Sequence, residues 1–218
     1  MKFNKTQLAF NNWKKKFSKK YKILKTKKLF NISRNNHNVA TGYDIEFLND
    51  SGHKIKRYII MQGLAVQIVP LIFCTTNKKF YTIVVEQIRI GSEKKTYEFP
   101  SGSYNNLDET LKKTALREIK EELNLKIKSR DLIKLNKKPV LMQPVNSYLK
   151  CHFYYFYLKM SKKKLENLNN LKTGVSEENE YCFSKVFELN KVNNFMNDSI
   201  IIGLKLLEKK IKLIKKNL

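Results

Sequence analysis

From Tyr43 to Leu48, and again from Lys54 to Ile60, apolar and polar residues alternate, with Asn49-Asp50-Ser51-Gly52 between the two runs. Alternation of period two marks a half-buried strand, and asparagine, aspartate and glycine favour tight turns, so this stretch predicts a β-hairpin. Strand-like runs follow over Leu64–Cys74 and Phe80–Ile90, with a short one over Thr96–Phe99. The period then lengthens, and Leu107–Leu123 reads as a helix. Leu132–Met142 and Tyr148–Leu158 return to strand character, Asn169–Asn179 reads as a polar loop and Tyr181–Leu189 as a strand. An amphipathic, lysine-rich helix from Ser199 to Lys216 closes the chain. There is no internal repeat. Strands, one central helix, more strands and a final helix predict an α/β (α+β) fold, with a mixed β-sheet sandwiched between helices.

The first forty residues have a different character. They hold twelve basic residues and no acidic one, and Phe10, Trp13, Phe17, Tyr21 and Leu24 recur at helical spacing. Such a segment suits a targeting peptide or a membrane-surface helix, or else an extension helix that packs on the body or on a partner subunit. Transit peptides favour arginine and serine over lysine, which points to the extension. The expected division is therefore an N-terminal basic helix and hairpin over residues 1–60, followed by a larger domain over residues 61–218.

With 218 residues and 42% apolar content, the chain can bury a core of its own. Its longest apolar stretch, Leu64 to Cys74, is interrupted by Gln67 and Pro70 and is too short to span a bilayer. No signal-peptide core follows Met1, so a cytoplasmic location is expected, with a plastid or other organelle as the alternative if the basic segment is a targeting peptide. Cys74, Cys151 and Cys182 stand far apart and have no Cys-x-x-Cys or Cys/His spacing, which argues for reduced, buried thiols rather than zinc. The net charge of +25 is almost all lysine, with only five arginines. Arginine is the better reader of base edges and planar anions, so no specific nucleic-acid partner is expected, only a weak, salt-sensitive affinity for polyanions.

The chemistry concentrates between Glu98 and Leu125. On a helix, Glu118, Glu121 and Glu122 fall at i, i+3 and i+4 and share one face. Crowded carboxylates repel, and hard divalent cations relieve that repulsion, which makes the face a candidate site for magnesium or manganese. Ala115, Ile119 and Leu123 form a neighbouring stripe that can pack on a sheet. Arg117 is close enough to fix the carboxylates by forked hydrogen bonds.

The spacing of this segment resembles the Nudix box. Glu109 is followed by seven residues and then by Arg117-Glu118-Ile119-Lys120-Glu121-Glu122-Leu123-Asn124-Leu125. Two glycines of the box are replaced, the first by Ser103, although Gly102 precedes it, and the last by Asn124. Asparagine is the usual second choice at a left-handed helix stop. Glu86-Gln87-Ile88-Arg89 and Glu98-Phe99-Pro100-Ser101-Gly102 are similar to stretches of ADP-ribose and ADP-sugar pyrophosphatases. Gly174-Val175-Ser176-Glu177-Glu178-Asn179-Glu180 looks like the acidic loop that supplies their general base. Upstream, Gln7 to Phe17, the Tyr43–Ile60 hairpin and Gly63-Leu64-Ala65-Val66 resemble, more loosely, the extension of plant-type ADP-glucose pyrophosphatases.

The resemblance implies a Nudix fold and magnesium-dependent hydrolysis of the pyrophosphate bond of a nucleoside diphosphate sugar. It implies Glu118 and Glu122 as the main metal ligands, Glu121 as a further one and the carbonyl of Ser101 as another. It implies Glu178 as the base, with Glu180 as the alternative, Arg89 at the phosphates, and Glu98 and Glu109 as orienting groups. A homodimer that builds its site from both chains is implied as well. Two other readings stay open: a Nudix enzyme acting on an oxidised nucleotide, a UDP-sugar or capped RNA, and a non-catalytic Nudix-fold protein that binds RNA or a partner.

Overall fold

The computed structural model describes residues 4–34, 37–104, 109–142, 146–174, 181–195 and 197–216. Along the chain run α1 (Lys5–Phe17), β1 (Ile23–Arg34), β2 (His37–Leu48), β3 (Lys54–Cys74), β4 (Phe80–Arg89), β5 (Lys94–Glu98), β6 (Ser101–Ser103) and α2 (Leu111–Leu123). Then come β7 (Ile133–Lys134), β8 (Val140–Met142), β9 (Ser147–Met160), α3 (Lys162–Asn167), β10 (Lys172–Thr173), β11 (Cys182–Glu188) and α4 (Asp198–Lys216). They group into two compact units, one of Met1–Ala65, Ser103–Glu109 and Val140–Cys151, the other of Val66–Gly102, Thr110–Pro139 and His152–Leu218.

In the first unit, β1, β2 and the beginning of β3 form an antiparallel meander in which Tyr43 faces Lys28 on one side and Ile59 on the other. Helix α1 starts at the N-cap Asn4, whose side chain accepts a hydrogen bond from the Gln7 amide. Its apolar side packs Phe10 on Tyr43, with ring centroids 3.9 Å apart, and this pair joins Ile45 and Met61 in a small core. The helix is shorter than the aromatic spacing predicts. It ends at Phe17, and Leu24 already lies in β1. Phe17 and Tyr21 meet across the turn after the helix and both contact Phe47. The apparent continuation of helical spacing is thus an aromatic cluster around a bend.

The predicted hairpin forms at Asn49–Gly52. The Asn49 carboxamide oxygen accepts from the amides of Ser51 and His53, and Gly52 has φ +76°. The two runs Lys54–Ile60 and Leu64–Cys74 are not separate strands. They are one strand of 21 residues, and Gly63, at φ +98° between the two runs, is a kink within β3.

In the second unit, β4 pairs with β3 near its start, with β5 along its later half and with β11 on its other side, all antiparallel. Alternation assigns the faces. Val66, Ile68 and Ile72 of β3 and Ile83 and Val85 of β4 point to Ala115, Ile119 and Leu123 of α2. Val69 points the other way, where Gly203 of α4 lies against it and against Phe99. Helices therefore cover both faces of this part of the sheet, as the α+β reading requires.

Other expectations are refined. The strand expected over Leu132–Met142 is interrupted between β7 and β8, where the buried Asn136 side chain accepts from the Phe153 amide and donates to the Lys138 carbonyl. The short helix α3, capped by Ser161, and the two-residue strand β10, inside the expected polar loop, have no period long enough to read in the sequence. The three thiols are buried and unbridged, and burial pushes Cys151 up to about 12. Among the described residues, no helix is long and apolar enough to cross a membrane.

A side chain at Gly203 would come within 2.7 Å of the Phe99 ring and 3.0 Å of Val69. Gly203→Val is therefore expected to cost roughly 1–3 kcal/mol by overpacking. Gly91→Ala, at a position with nothing within 4 Å of the added carbon, should be almost silent. Equal denaturation midpoints for the two variants would contradict this packing of α4.

Candidate active site

Helix α2 carries most of the chemistry, and its sequence explains its placement. Thr110 caps the N-terminus by accepting from the Lys113 amide, and Ala115, Ile119 and Leu123 are wholly buried against the sheet. At the other end Asn124 takes the left-handed conformation, φ 52°, ψ 34°, and its amide reaches back to the carbonyls of Ile119 and Lys120. The asparagine thus performs the helix stop expected of a glycine.

With the stripe fixed, the carboxylates are presented on a neighbouring face. Glu118 is buried. Its carboxylate lies so close to Gly102 that a Cβ on that residue would fall inside it. Arg117 stands between two of the acids, its Nη1 2.8 Å from Glu118 Oε1 and 2.7 Å from Glu121 Oε2. Glu122 accepts a hydrogen bond from the Ser101 amide at 2.8 Å. The loop Pro100-Ser101-Gly102 is therefore joined to the acidic face at two points. Position 102, rather than 103, demands glycine. Ser103 sits in β6 without a positive φ, so the missing box glycine leaves no strain there.

The three glutamates form an all-oxygen donor set suited to magnesium or manganese. Among the described residues, however, no three acidic, histidine or cysteine side chains converge as a ready-made chelate. Arg117 bridges Glu118 and Glu121 instead. Glu109 stands immediately before the cap residue Thr110.

A second group lies on the β4–β5 hairpin. Arg89 grips Glu98 with both ends of its guanidinium, Nε to Oε1 at 2.9 Å and Nη2 to Oε2 at 2.7 Å. Thr96 donates to Oε1 at 2.8 Å and Gln87 to Oε2 at 3.2 Å. Burial pushes Glu98 up, but the hydrogen bonds and charge of Arg89, with Thr96 and Gln87, hold it below the usual carboxylate range. Gln87 and Thr96 were not singled out as site residues. Strand alternation alone sets Gln87 on the face of Arg89 and Thr96 on that of Glu98, and the register then pairs Gln87 with Thr96. Glu86 points to the opposite face, where Lys95 and Lys185 approach it at 3.3 and 3.7 Å.

Glu178 and Glu180 lie outside the described residues. What leads into their segment is clear. The Thr173 hydroxyl donates to the Glu122 carbonyl at 2.8 Å, and the Gly174 amide donates to the Glu121 carbonyl at 3.0 Å. These two contacts, which the sequence did not reveal, tie the start of the acidic segment to the last turn of the carboxylate helix.

No family model matches the chain. Over 145 residues it is 23% identical to Nudix hydrolase 14, chloroplastic, of Arabidopsis thaliana, a match covering 62% of this chain and 45% of that protein. The chain thus spans less than half the length of this relative. Among solved structures it is similar to a crystal structure of an ADP compounds hydrolase, with TM-score 0.62 and 18% identity over 88% of this chain and 95% of that one. The NUDIX domain of Shewanella oneidensis NrtR, complexed with ADP ribose, aligns at TM-score 0.47 and 15% identity over 69% of this chain and 87% of that one. The chain thus shares the fold of the ADP compounds hydrolase and is similar over part of its sequence to a Nudix hydrolase.

Proposed function

We propose that the chain is a magnesium-dependent pyrophosphatase of nucleoside diphosphate sugars, of the ADP-ribose or ADP-glucose type. The observation that carries this reading is the seating of the Glu118–Glu122 face on the Ser101–Gly102 backbone, which sets two carboxylates of the box beside one loop. The likeness of fold to an ADP compounds hydrolase supports the adenine branch. The resemblance further supports a homodimer as the working form.

In this proposal Glu118 and Glu122, with Glu121 and the Ser101 carbonyl, hold the divalent ion, which would neutralise phosphate oxygens and orient the attacking water when bound. Arg117 steadies the carboxylates that it bridges. Arg89, held in one orientation by Glu98, presents a positioned guanidinium to a phosphate. The Glu178 carboxylate takes a proton from the water, with Glu180 as the alternative. The anchoring of Thr173 and Gly174 to the end of α2 favours a base drawn from the following segment. Hydrolysis would release a nucleoside monophosphate and a sugar phosphate.

The test is a panel of ADP-ribose, ADP-glucose, UDP-glucose, an oxidised guanine nucleotide and capped RNA, each with magnesium. ADP-sugars should be cleaved, and a chelator should stop the reaction. Glu122→Gln should abolish turnover with the fold intact, and full activity of that folded variant would remove this helix face from the mechanism. Preferred cleavage of capped RNA would move the chain to another Nudix branch.

Gly102→Ala pushes a methyl group into the Glu118 carboxylate. A displacement of about 1 Å in a positioned group can cost on the order of a hundredfold in rate, and a loss of that size is expected in kcat. An unchanged rate would show that Glu118 need not occupy its present position.

Loss of a general base is expected to cost on the order of a hundredfold or more. Glu178→Gln should show that loss in single-turnover assays, while Glu177→Gln stays near the parent rate. A crippled Glu180→Gln beside an active Glu178→Gln would transfer the role by two residues. Parent rates in all three would place the base outside the segment.

A further inference from the structure

A cavity of about 920 Å³ lies in the same unit as the carboxylates but at the other end of β4 from Arg89. Nine strand steps separate Phe80 from Arg89, roughly 30 Å along the strand. The cavity also lies on the other side of the sheet, since Phe73 of β3 shares the α4-facing parity of Val69. It falls within the size range of small-molecule sites.

Its walls are aromatic and aliphatic. Phe73 and Phe80 pack with ring centroids 5.3 Å apart, and Leu204 and Ile211 of α4 close the opposite side. The rim is charged, and its charges do not cancel. Glu188 is paired with Lys79 at 3.0 Å, and Glu208 with Lys205 at 3.4 Å. Lys78 and Lys215 also line the cavity, and neither makes an ion pair among the described residues. Lys215 instead holds its ammonium 5.8 Å from the centre of the Phe80 ring. Lys78 sits at φ 59° in the β3–β4 turn, a left-handed position where glycine or asparagine is the ordinary choice, and the turn holds it there through the hydrogen bond that its amide donates to the Cys74 carbonyl. A lysine at such a site puts a cation on the rim at some backbone cost.

We propose that this cavity binds an aromatic anion of the nucleoside monophosphate class, the base lying on the Phe73–Phe80 surface and the phosphate between Lys78 and Lys215. Two unneutralised ammoniums suit a dianionic phosphate better than a single carboxylate, and phenyl rings suit a flat base. The choice of this class over other aromatic anions rests on the pyrophosphatase reading, in which a nucleoside monophosphate is released. The cavity itself does not depend on that reading.

The test is photolabelling of the full chain with 8-azidoadenosine monophosphate, followed by mass-spectrometric mapping, beside the hydrolysis panel. Label is expected in peptides containing Phe80 or the Leu204–Ile211 stretch, and AMP should protect them while adenosine does not. The double variant Lys78→Gln/Lys215→Gln should lose at least tenfold of that label, with its melting temperature and ADP-sugar hydrolysis unchanged. Label confined to Glu86–Gly102 and α2, equal protection by adenosine, or full labelling of the double variant would each overturn the proposal. Cavity label with no hydrolysis of any nucleotide sugar would leave the cavity site standing and overturn the pyrophosphatase reading. Hydrolysis without cavity label would do the reverse.

Discussion

The contact between the Glu118 carboxylate and the backbone of Gly102 is the constraint on which the candidate site depends. Helix and loop are each fixed independently. Ala115, Ile119 and Leu123 hold α2 to the sheet. The loop is held by the fully buried Phe99, whose amide donates to the Ser199 hydroxyl at 3.2 Å, and by Pro100, whose carbonyl accepts from the Ile68 amide at 2.8 Å. Where the two meet, only a residue without a side chain leaves room for the acid. Burying a carboxylate is costly unless it is paired, and Arg117 supplies that pairing while also holding Glu121. The same side chains that make the face chemically useful therefore make it expensive to assemble, and the surrounding apolar packing meets that expense.

Arg89 and Glu98 follow the same logic on the hairpin. Four donors from three side chains converge on one carboxylate, and the ion pair is bidentate, so the guanidinium has a defined plane. A half-exposed arginine with a free choice of rotamers would be a poor phosphate ligand. One clamped by a half-buried acid is already oriented, with less conformational entropy left to lose on binding an anion.

Much of this was legible in the sequence because it depends on spacing within single elements. The carboxylate face, the apolar stripe beside it and the left-handed stop at Asn124 all follow from helical geometry. The hairpin at Asn49–Gly52 follows from turn chemistry. What escaped depends on contacts between distant segments. The glycine required by Glu118 could not be assigned to position 102 until the loop was placed on the helix. Phe17 and Tyr21 have helical spacing but owe their positions to Phe47, so the length of α1 was overread. The runs Lys54–Ile60 and Leu64–Cys74 read as two strands, yet pairing before and after Gly63 keeps β3 continuous. Strands of two or three residues such as β7, β8 and β10 exist only because a neighbour pairs with them, and they leave no period to detect.

The bonds from Thr173 and Gly174 to the carbonyls of Glu122 and Glu121 have a thermodynamic consequence. The last carbonyls of a helix have no partner within it, and here a remote part of the chain satisfies two of them. Fraying of the final turn of α2 and release of the strand end at β10 are therefore one event rather than two. The carboxylate face and the approach to the acidic segment form a single cooperative unit. Slow amide exchange at Gly174 would report the integrity of the helix end, and a solvent or temperature change that loosens one will loosen the other.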